Sequence, residues 1–374
     1  MAYKDLIKAF EFAEKFRFTY DIASDTFDLE KEVLKHLETD RSHSSLIINE
    51  KVTPQIYLVL HKVCKKLRLN SNNVSAYIYS SSDNQATCFL GEKDKCTIMI
   101  TSNLIELMDE NELEFIIGHE IGHFLLKHGT VTHNSKMSKE DLIYSRYKEI
   151  SADRIGLIAS GTIESALSSI VKMLSGLSSA YLRYDISALM QQINNVHKGT
   201  YLSSESTHPS WLIRVRALQF FSMSEMYNKE ILETNNNLGD PIERVDELIY
   251  NDLESFIDKP IRKEIEDSKK DLSFWIHIFA VLDDDKFDKK EQEIIKQEFG
   301  EKQLNKIKKI LTSSNKEQSR NFINSLLEEK ISGLAHIAPK ESQIFYRNEI
   351  NNAERKLNIE NLESKIVLSI KKIK

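Results

Sequence analysis

The chain has 374 residues, of which 41% are hydrophobic and 29% charged, and its formal net charge is −6. This length allows two domains with sizeable cores. A slightly acidic chain without any long basic block argues against nucleic acid as a partner. No stretch approaches the ~18 to 20 consecutive apolar residues of a membrane span, so we expect no transmembrane segment and a soluble, cytoplasmic protein.

The cysteine, glycine and proline contents favour one fold class and one type of compartment. The three cysteines, Cys64, Cys88 and Cys96, have no paired metal-binding spacing, and their odd number fits a reducing compartment better than a disulfide framework. Only 11 Gly and 5 Pro are present, which suits a mostly helical protein. We predict a mainly α protein with a small β-sheet, of the α+β class.

Residues 1–50 are predicted to form a helical N-terminal extension. Apolar side chains recur there at helical spacing, at Tyr3, Leu6, Ile7, Phe10 and Ala13. The extension lacks the apolar core of a signal peptide. Its amphipathic helix could touch a membrane surface, but we favour packing on the adjacent domain.

Three strands are predicted between residues 74 and 101. They are rich in β-branched or aromatic residues and are bounded by Ser, Asn or Gly turns, at Val74–Ser80, Thr87–Leu90 and Thr97–Thr101. The edge of such a hairpin can accept an extended peptide as an additional strand.

Residues 119–123 read His-Glu-Ile-Gly-His, a pattern whose spacing follows from metal chemistry. On a helix, four residues advance about 400°, so His119 and His123 lie one above the other and can reach one zinc ion. Glu120 is turned aside by about 100°, which favours a general base over a metal ligand. The alternative is that two histidines lie four apart by chance in a core helix.

The flanks of this motif predict the helix that it requires. Asp109 is the expected N-cap, with Glu112 three residues later as in a capping box, and Gly129 follows as a stop signal.

Two further histidines follow the motif, His128 and His133. His128 would lie about 140° around the helix from His123 and would face away from it. We therefore interpret both as surface histidines.

A catalytic zinc site needs a third protein ligand, and we predict Glu149. Residues 146–153 read Arg-Tyr-Lys-Glu-Ile-Ser-Ala-Asp, so on a helix Glu149 and Asp153 share one face. Glu149 could bind zinc while Asp153 accepts the outer N–H of a ligand histidine. Ala152 and Gly156 favour a close helix contact beside these carboxylates. The alternative is a solvated helix with ordinary acidic residues.

These motifs resemble the zinc metallopeptidases of the HtpX, Oma-type and CAAX prenyl protease family. The resemblance covers residues 51–225 and joins the motifs at 119–123 and 146–153 to an Ala-Ser-Gly segment at 159–161 and a Thr-His-Pro element at 207–209. It implies a gluzincin-type metallopeptidase domain that holds one zinc ion per chain.

The resemblance also implies a role for each matching residue. It makes His119, His123 and Glu149 the zinc ligands, Glu120 the general base and Asp153 the outer partner of a ligand histidine.

His208 and Arg214 belong to the Thr-His-Pro element. By the resemblance they would lie near the site, where a cation or an N–H donor could stabilise an oxyanion. The alternative is structural, with His208 at the end of a loop and Arg214 paired with an acidic neighbour.

Beyond these motifs, the chain is predicted to continue into a separate helical domain. Residues 235–241, Asn-Asn-Asn-Leu-Gly-Asp-Pro, are the clearest linker. They separate a zinc metallopeptidase domain at 51–234 from a C-terminal helical domain at 242–374. Residues 274–299 resemble part of the TerB-type helical module of stress-associated bacterial proteins, and an ordinary solvated helix hairpin is the alternative.

The motifs predict a zinc-dependent endopeptidase that acts on protein or peptide substrates. A rival from another class is a zinc-stabilised binding or adaptor protein without turnover, whose C-terminal module carries the main function and binds a protein partner. Retention of Glu120 favours the enzyme, because a decayed site would tend to lose its general base first.

Overall fold

The protein is described by a computed structural model that covers residues 2–21, 44–90, 95–128, 137–183, 185, 187–188, 191, 209–231, 233, 238–282, 287–313 and 315–371. The chain divides into two compact units. The first comprises Met1–Lys136 and Leu142–Asp258, and the second comprises Met137–Asp141 and Lys259–Lys374. Within the described ranges, no helix combines the length and apolarity that a membrane span requires.

The first unit combines helices with a small sheet, which confirms the predicted mainly α fold class. Its helices, in chain order, are α1 (Ala2–Glu14), α2 (Pro54–Lys66), α3 (Ser102–Leu107), α4 (Glu110–Leu125), α5 (Lys139–Ser160, whose first turn counts with the second unit), α6 (Ile163–Ser175), α7 (Trp211–Ser222), α8 (Glu225–Ile231) and α9 (Ile242–Leu253). A π-helical segment, Glu254–Asp258, follows α9.

The sheet has four strands in the order β1-β2-β4-β3. The strands are β1 (Leu46–Ile47), β2 (Val74–Tyr79), β3 (Ala86–Leu90) and β4 (Cys96–Thr101). β4 is buried along its whole length, and it pairs parallel to β2 and antiparallel to β3. β3 therefore lies at an edge of the described sheet, where it also packs against α4. The three predicted strands are confirmed to within one residue at each end.

The N-terminal helix α1 packs on the first unit, as its amphipathic pattern predicted. Leu6, Ala9, Phe12 and Ala13 are buried, whereas Ile7 of the predicted apolar face is 38% exposed. The helix contacts α4, and the ring centroids of Phe10 and Phe124 lie 5.8 Å apart. The chain after α1 stays close to this core, because Phe16 and Phe18 are fully buried. The described part of the N-terminal extension is thus an integral layer of the first unit.

Helices α4 and α5 cross at very short distance because three glycines lie at their contact. A Cβ atom at Gly156 would lie 2.8 Å from the backbone oxygen of Phe115, and one at Gly122 would lie 3.3 Å from Cα of Ala152. Gly118 likewise faces Ala159. This confirms the close contact predicted from Ala152 and Gly156, and it brings the side chains of α5 within reach of those of α4.

Two buried ion pairs hold α5 against the chain between residues 242 and 258. Arg146 Nε donates to Asp258 Oδ1 at 2.8 Å, and Arg154 pairs with Asp246. Both aspartates belong to the first unit. The predicted boundaries at 50, 234 and 242 stay predictions.

The second unit is a group of helices around α10. These helices are α10 (Lys259–Val281), α11 (Lys289–Phe299), α12 (Glu301–Ser313), α13 (Lys316–Ile337), α14 (Pro339–Leu357) and α15 (Leu362–Lys371). The buried face of α10, including Trp275 and Ile276, packs on α13 and α14. Glu140 caps α14, since its carboxylate accepts hydrogen bonds from two backbone N–H groups of that helix.

Candidate metal centre

The helix that carries the His-Glu-x-x-His motif begins as predicted. Asp109 Oδ1 accepts from the Glu112 N–H at 2.9 Å, and Glu112 Oε2 accepts from the Asp109 N–H at 2.7 Å, so the capping box is complete. Two N–H groups that a helix start leaves without helical partners are thereby satisfied. The cap fixes where α4 starts and therefore which residues face α5.

Three side chains from α4 and α5 converge at the centre of the first unit. His119 Nε2 and His123 Nε2 lie 3.1 Å apart. The carboxylate of Glu149 approaches both, at 3.5 Å from His119 Nε2 and 3.3 Å from His123 Nε2. The structure therefore brings together all three predicted ligands, and their ligand atoms lie within 4.8 Å of one another.

This group of atoms has the composition of a catalytic metal site. Two imidazole nitrogens and one carboxylate oxygen are donors that zinc accepts, and three protein ligands leave one coordination position open for water or substrate. His119 and Glu149 are buried and His123 is partly buried. The residues present thus fit a resident divalent metal ion.

Glu120 lies next to these ligands but is not one of the group. Glu120 is buried, with 9% of its surface exposed. Its place one residue after His119 turns it about 100° around α4. This position suits a group that exchanges protons with a bound reactant.

The outer nitrogen of His119 contacts a carboxylate, as the sequence predicted. His119 Nδ1 lies 2.9 Å from Asp153 Oδ1. Arg214 on α7 donates to both oxygens of Asp153, from Nε at 2.8 Å and from Nη2 at 2.5 Å. Burial would raise the pKa of Asp153, but the charges of and hydrogen bonds from Arg214 and His119 together outweigh burial and lower it. Asp153 therefore stays ionised beside the ligand histidine.

The two residues of the Thr-His-Pro element have different outcomes. Arg214 pairs with Asp153, which is the structural alternative raised for it from the sequence. A contact between Arg214 and an oxyanion stays a prediction. His208 lies outside the described residues, and its predicted role stays a prediction as well.

The prediction that His128 is a surface histidine is wrong. His128 is only 6% exposed, and its Nδ1 lies 2.9 Å from Nδ1 of His123. Its Nε2 lies 2.8 Å from Asp21 Oδ2, and burial lowers the pKa of His128 to about 4. This buried imidazole is therefore neutral at pH 7.

The error has a clear geometric cause. Helix α4 ends at Leu125, and Lys127 adopts a left-handed conformation with φ of 55°. This turn folds the chain back, and the His128 N–H donates to the His123 carbonyl at 2.9 Å. A rotation of 140° from His123 applies only within a helix, so it placed His128 wrongly. Gly129 and His133 lie outside the described residues.

Asp21 is the other residue of this site that sequence reasoning missed. It precedes His128 by 107 positions, and no spacing rule links residues so far apart. It also accepts from Ser151 Oγ at 2.6 Å, and Arg17 lies 3.1 Å away. The N-terminal segment thus contributes a buried carboxylate close to the ligand histidines.

The charge on His123 is governed by its closest carboxylate. Burial alone would lower the pKa of His123, but the hydrogen bond and charge of Glu149, together with the charge of Glu120, outweigh burial and raise it. A bound cation would compete with the proton for the same nitrogen, because only the neutral imidazole is a ligand.

Comparisons with known proteins agree with the site. Residues 50–140 match the model of peptidase family M48. The plastoglobule-localized metallopeptidase 48 of Arabidopsis thaliana chloroplasts is 22% identical over 52% of this chain and 64% of its own length. A protease HtpX homolog of Thermoanaerobacter pseudethanolicus is 29% identical over 19% of this chain and 24% of its own length. No solved structure shows a significant match.

The chain thus spans less than two thirds of either of these relatives. The family match contains His119, Glu120 and His123 but ends before Glu149, so the third ligand depends on the geometry of α4 and α5. Residues 50–140 therefore resemble peptidase family M48, and the two relatives are named as a metallopeptidase 48 and an HtpX protease homolog, which confirms the resemblance predicted from the motifs.

Proposed function

We propose that this protein is a zinc-dependent endopeptidase in which His119, His123 and Glu149 bind zinc and Glu120 is the general base. One observation carries the proposal: two imidazole nitrogens and a carboxylate converge on one point, with a further carboxylate beside them that is not part of the group. The donor set favours zinc over magnesium or calcium, which prefer oxygen ligands.

When bound, zinc would polarise the peptide carbonyl and favour the attack of water on it. Glu120 would take a proton from the attacking water and deliver it to the leaving amine. Asp153 would keep His119 in the tautomer that presents Nε2 to the metal, and Arg214 would hold Asp153 in place. Arg214 and His208 could also face the oxyanion that forms on the substrate.

The position of β3 supports an extended substrate. Within the described residues, β3 is an edge strand beside α4, and an edge strand can pair with an added peptide through backbone N–H and C=O groups. A peptide in this position would lie along the helix that carries Glu120. We therefore propose that protein substrates are cut in unfolded or extended segments.

A protein partner of residues 242–374, the TerB-type resemblance and the cytoplasmic location stay predictions. Interaction partners of the full chain with and without substitutions on α13 would check the first, and fractionation of the untagged protein would check the location.

The decisive experiment compares the wild type with Glu120→Gln and with Glu106→Gln, a matched change at an exposed glutamate of α3. We expect one zinc ion per chain in all three proteins. Hydrolysis should fall by about 100-fold or more only in Glu120→Gln, since general base catalysis contributes about 10²- to 10⁴-fold. Zinc content is measured on the purified chains, and cleavage is measured on a folded protein and on its destabilised variant.

Three outcomes would contradict the proposal. Loss of zinc from folded Glu120→Gln would make Glu120 a ligand, and full activity of this variant would exclude it as the base. Stoichiometric zinc without hydrolysis in the wild type would support the binding or adaptor protein instead. Equal cleavage of the folded protein and its destabilised variant at the same internal bond would exclude selection for extended chain.

A further inference from the structure

The outer nitrogen of His123 belongs to a buried hydrogen-bond network with which the proposed reaction has no step in common. His123 Nδ1 lies 2.9 Å from His128 Nδ1, and His128 Nε2 lies 2.8 Å from Asp21 Oδ2. The side chains of His128 and Asp21 are 2% and 1% exposed. Ser151 on α5 donates to the same Asp21 oxygen at 2.6 Å.

One arrangement of protons satisfies every hydrogen bond in this network of His123, His128 and Asp21. Nε2 of His123 faces His119 and Glu149, so a metal would bind there and the proton of His123 must lie on Nδ1. His123 then donates to Nδ1 of His128. Because Nδ1 of His128 accepts this hydrogen bond, the ring proton of His128 lies on Nε2, which faces the Asp21 carboxylate.

We propose that His128 and Asp21 are positioning residues that fix the tautomer and the ring orientation of His123 as a metal ligand. This inference rests on the proposed function, since it requires a metal at His119, His123 and Glu149. Through Asp21, the N-terminal segment 17–21 becomes a component of the metal centre, although it lies outside the M48 match at 50–140.

Residues 17–21 form hydrogen bonds with both α4 and α5, the helices that carry the proposed metal ligands. Arg17 Nη2 donates to the carbonyl of Leu126 at the end of α4, at 2.7 Å, where a cation is also favoured by the helix dipole. The Phe18 N–H donates to Ser151 Oγ on α5 at 3.0 Å. Thr19 donates to Asp246, the partner of Arg154 on α5. These contacts fix where the Asp21 carboxylate meets His128.

A purely structural role of these residues makes a different prediction. If His128 and Asp21 only filled the interior, their replacement would lower the stability of the metal-free protein and leave the zinc affinity of the folded protein unchanged. A positioning role lowers the zinc affinity itself, because a ligand ring that is free to rotate or change tautomer binds more weakly.

The test measures the zinc dissociation constant of the full chain by competition with a chelator. His128→Leu removes both contacts at similar size, whereas His128→Asn keeps an acceptor near the place of Nδ1. We expect about a 10- to 100-fold loss of affinity for His128→Leu, a smaller loss for His128→Asn, and a loss for Asp21→Ala close to that of His128→Leu. His336→Asn, at an exposed histidine of α13, is the matched control.

A second measurement applies to the zinc-loaded wild type and needs no substitution. Imidazole ¹⁵N NMR should show the proton of His123 on Nδ1 and that of His128 on Nε2. A proton on Nδ1 of His128 would overturn the inference, even if His128→Leu did not fold.

The failures can be told apart. A wild-type chain without stoichiometric zinc would overturn the proposed function and this inference with it. Stoichiometric zinc in the wild type, with equal affinity in folded His128→Leu and His336→Asn, would overturn only the inference.

Discussion

The two histidines proposed as metal ligands, His119 and His123, are supported in different ways. Behind His119 lies an ionised carboxylate, Asp153, whose position on α5 is fixed by helix geometry. Behind His123 lies a neutral imidazole, His128, and the carboxylate of Asp21 comes only after it. The first support was predicted from the sequence and the second was missed. A regular helix preserves spacing, whereas a helix end and a distant segment meet only through tertiary structure.

The residues behind His119 and those behind His123 should also contribute differently to the free energy of zinc binding. A negative charge directly behind a ligand ring raises the basicity of that ring, and the charge on Asp153 is secured by Arg214. A neutral imidazole mainly orients the ring in front of it. Zinc affinity should therefore respond differently to changes on the two sides.

The largest effect is expected when a ligand itself is removed. Glu149→Ala should lower zinc affinity by more than about 100-fold, because only the two histidines remain as ligands. Replacing a residue that contacts a ligand from behind lowers affinity by at most about 100-fold. Glu164→Ala, at an exposed glutamate in the first turn of α6, should leave affinity unchanged. Titration of both folded variants with zinc checks this. Equal zinc affinities in Glu149→Ala and Glu164→Ala would show that Glu149 is not a metal ligand.

The next effect concerns the charged side. Asp153→Asn keeps the shape of the side chain but removes its charge, so zinc affinity should fall by about 10- to 100-fold. The loss should exceed that in His128→Asn, which leaves the charge pattern around His123 unchanged. Asp83→Asn, at an exposed aspartate, is the control. Equal losses in Asp153→Asn and His128→Asn would show that orientation, rather than charge, sets the affinity on both sides.

These contrasts show which parts of the site the sequence could predict. The capping box at Asp109, the strands and the shared face of Glu149 and Asp153 follow from local rules that hold inside regular elements. Gly156 even indicated the close crossing of α4 and α5. Each of these features depends on residues at most a few positions apart.

The remainder depends on contacts that no local rule contains. The left-handed turn at Lys127 uses a lysine where glycine is usual, so the reversal that buries His128 carries no clear signal. The contact of Asp21 with His128 depends on the packing of the N-terminal segment against α4 and α5. The ion pairs of Asp246 and Asp258 with α5 join residues 92 and 112 positions apart. Such pairs can be identified only from the tertiary structure.

The smallest effect is expected one step further from the metal, at Arg214. Arg214→Gln leaves Asp153 in contact with His119 and acts on His119 only through that carboxylate. Zinc affinity should therefore fall by less than the about 10- to 100-fold expected for Asp153→Asn. If Arg214 acts through Asp153, Arg214→Gln should lower zinc affinity little further when Asp153→Asn is already present, because the effects of substitutions at interacting residues are not additive. A double-mutant cycle on zinc affinity measures this coupling. Additive losses would separate Arg214 from the support of His119, and a fall in hydrolysis far beyond the loss of zinc would indicate the oxyanion contact instead.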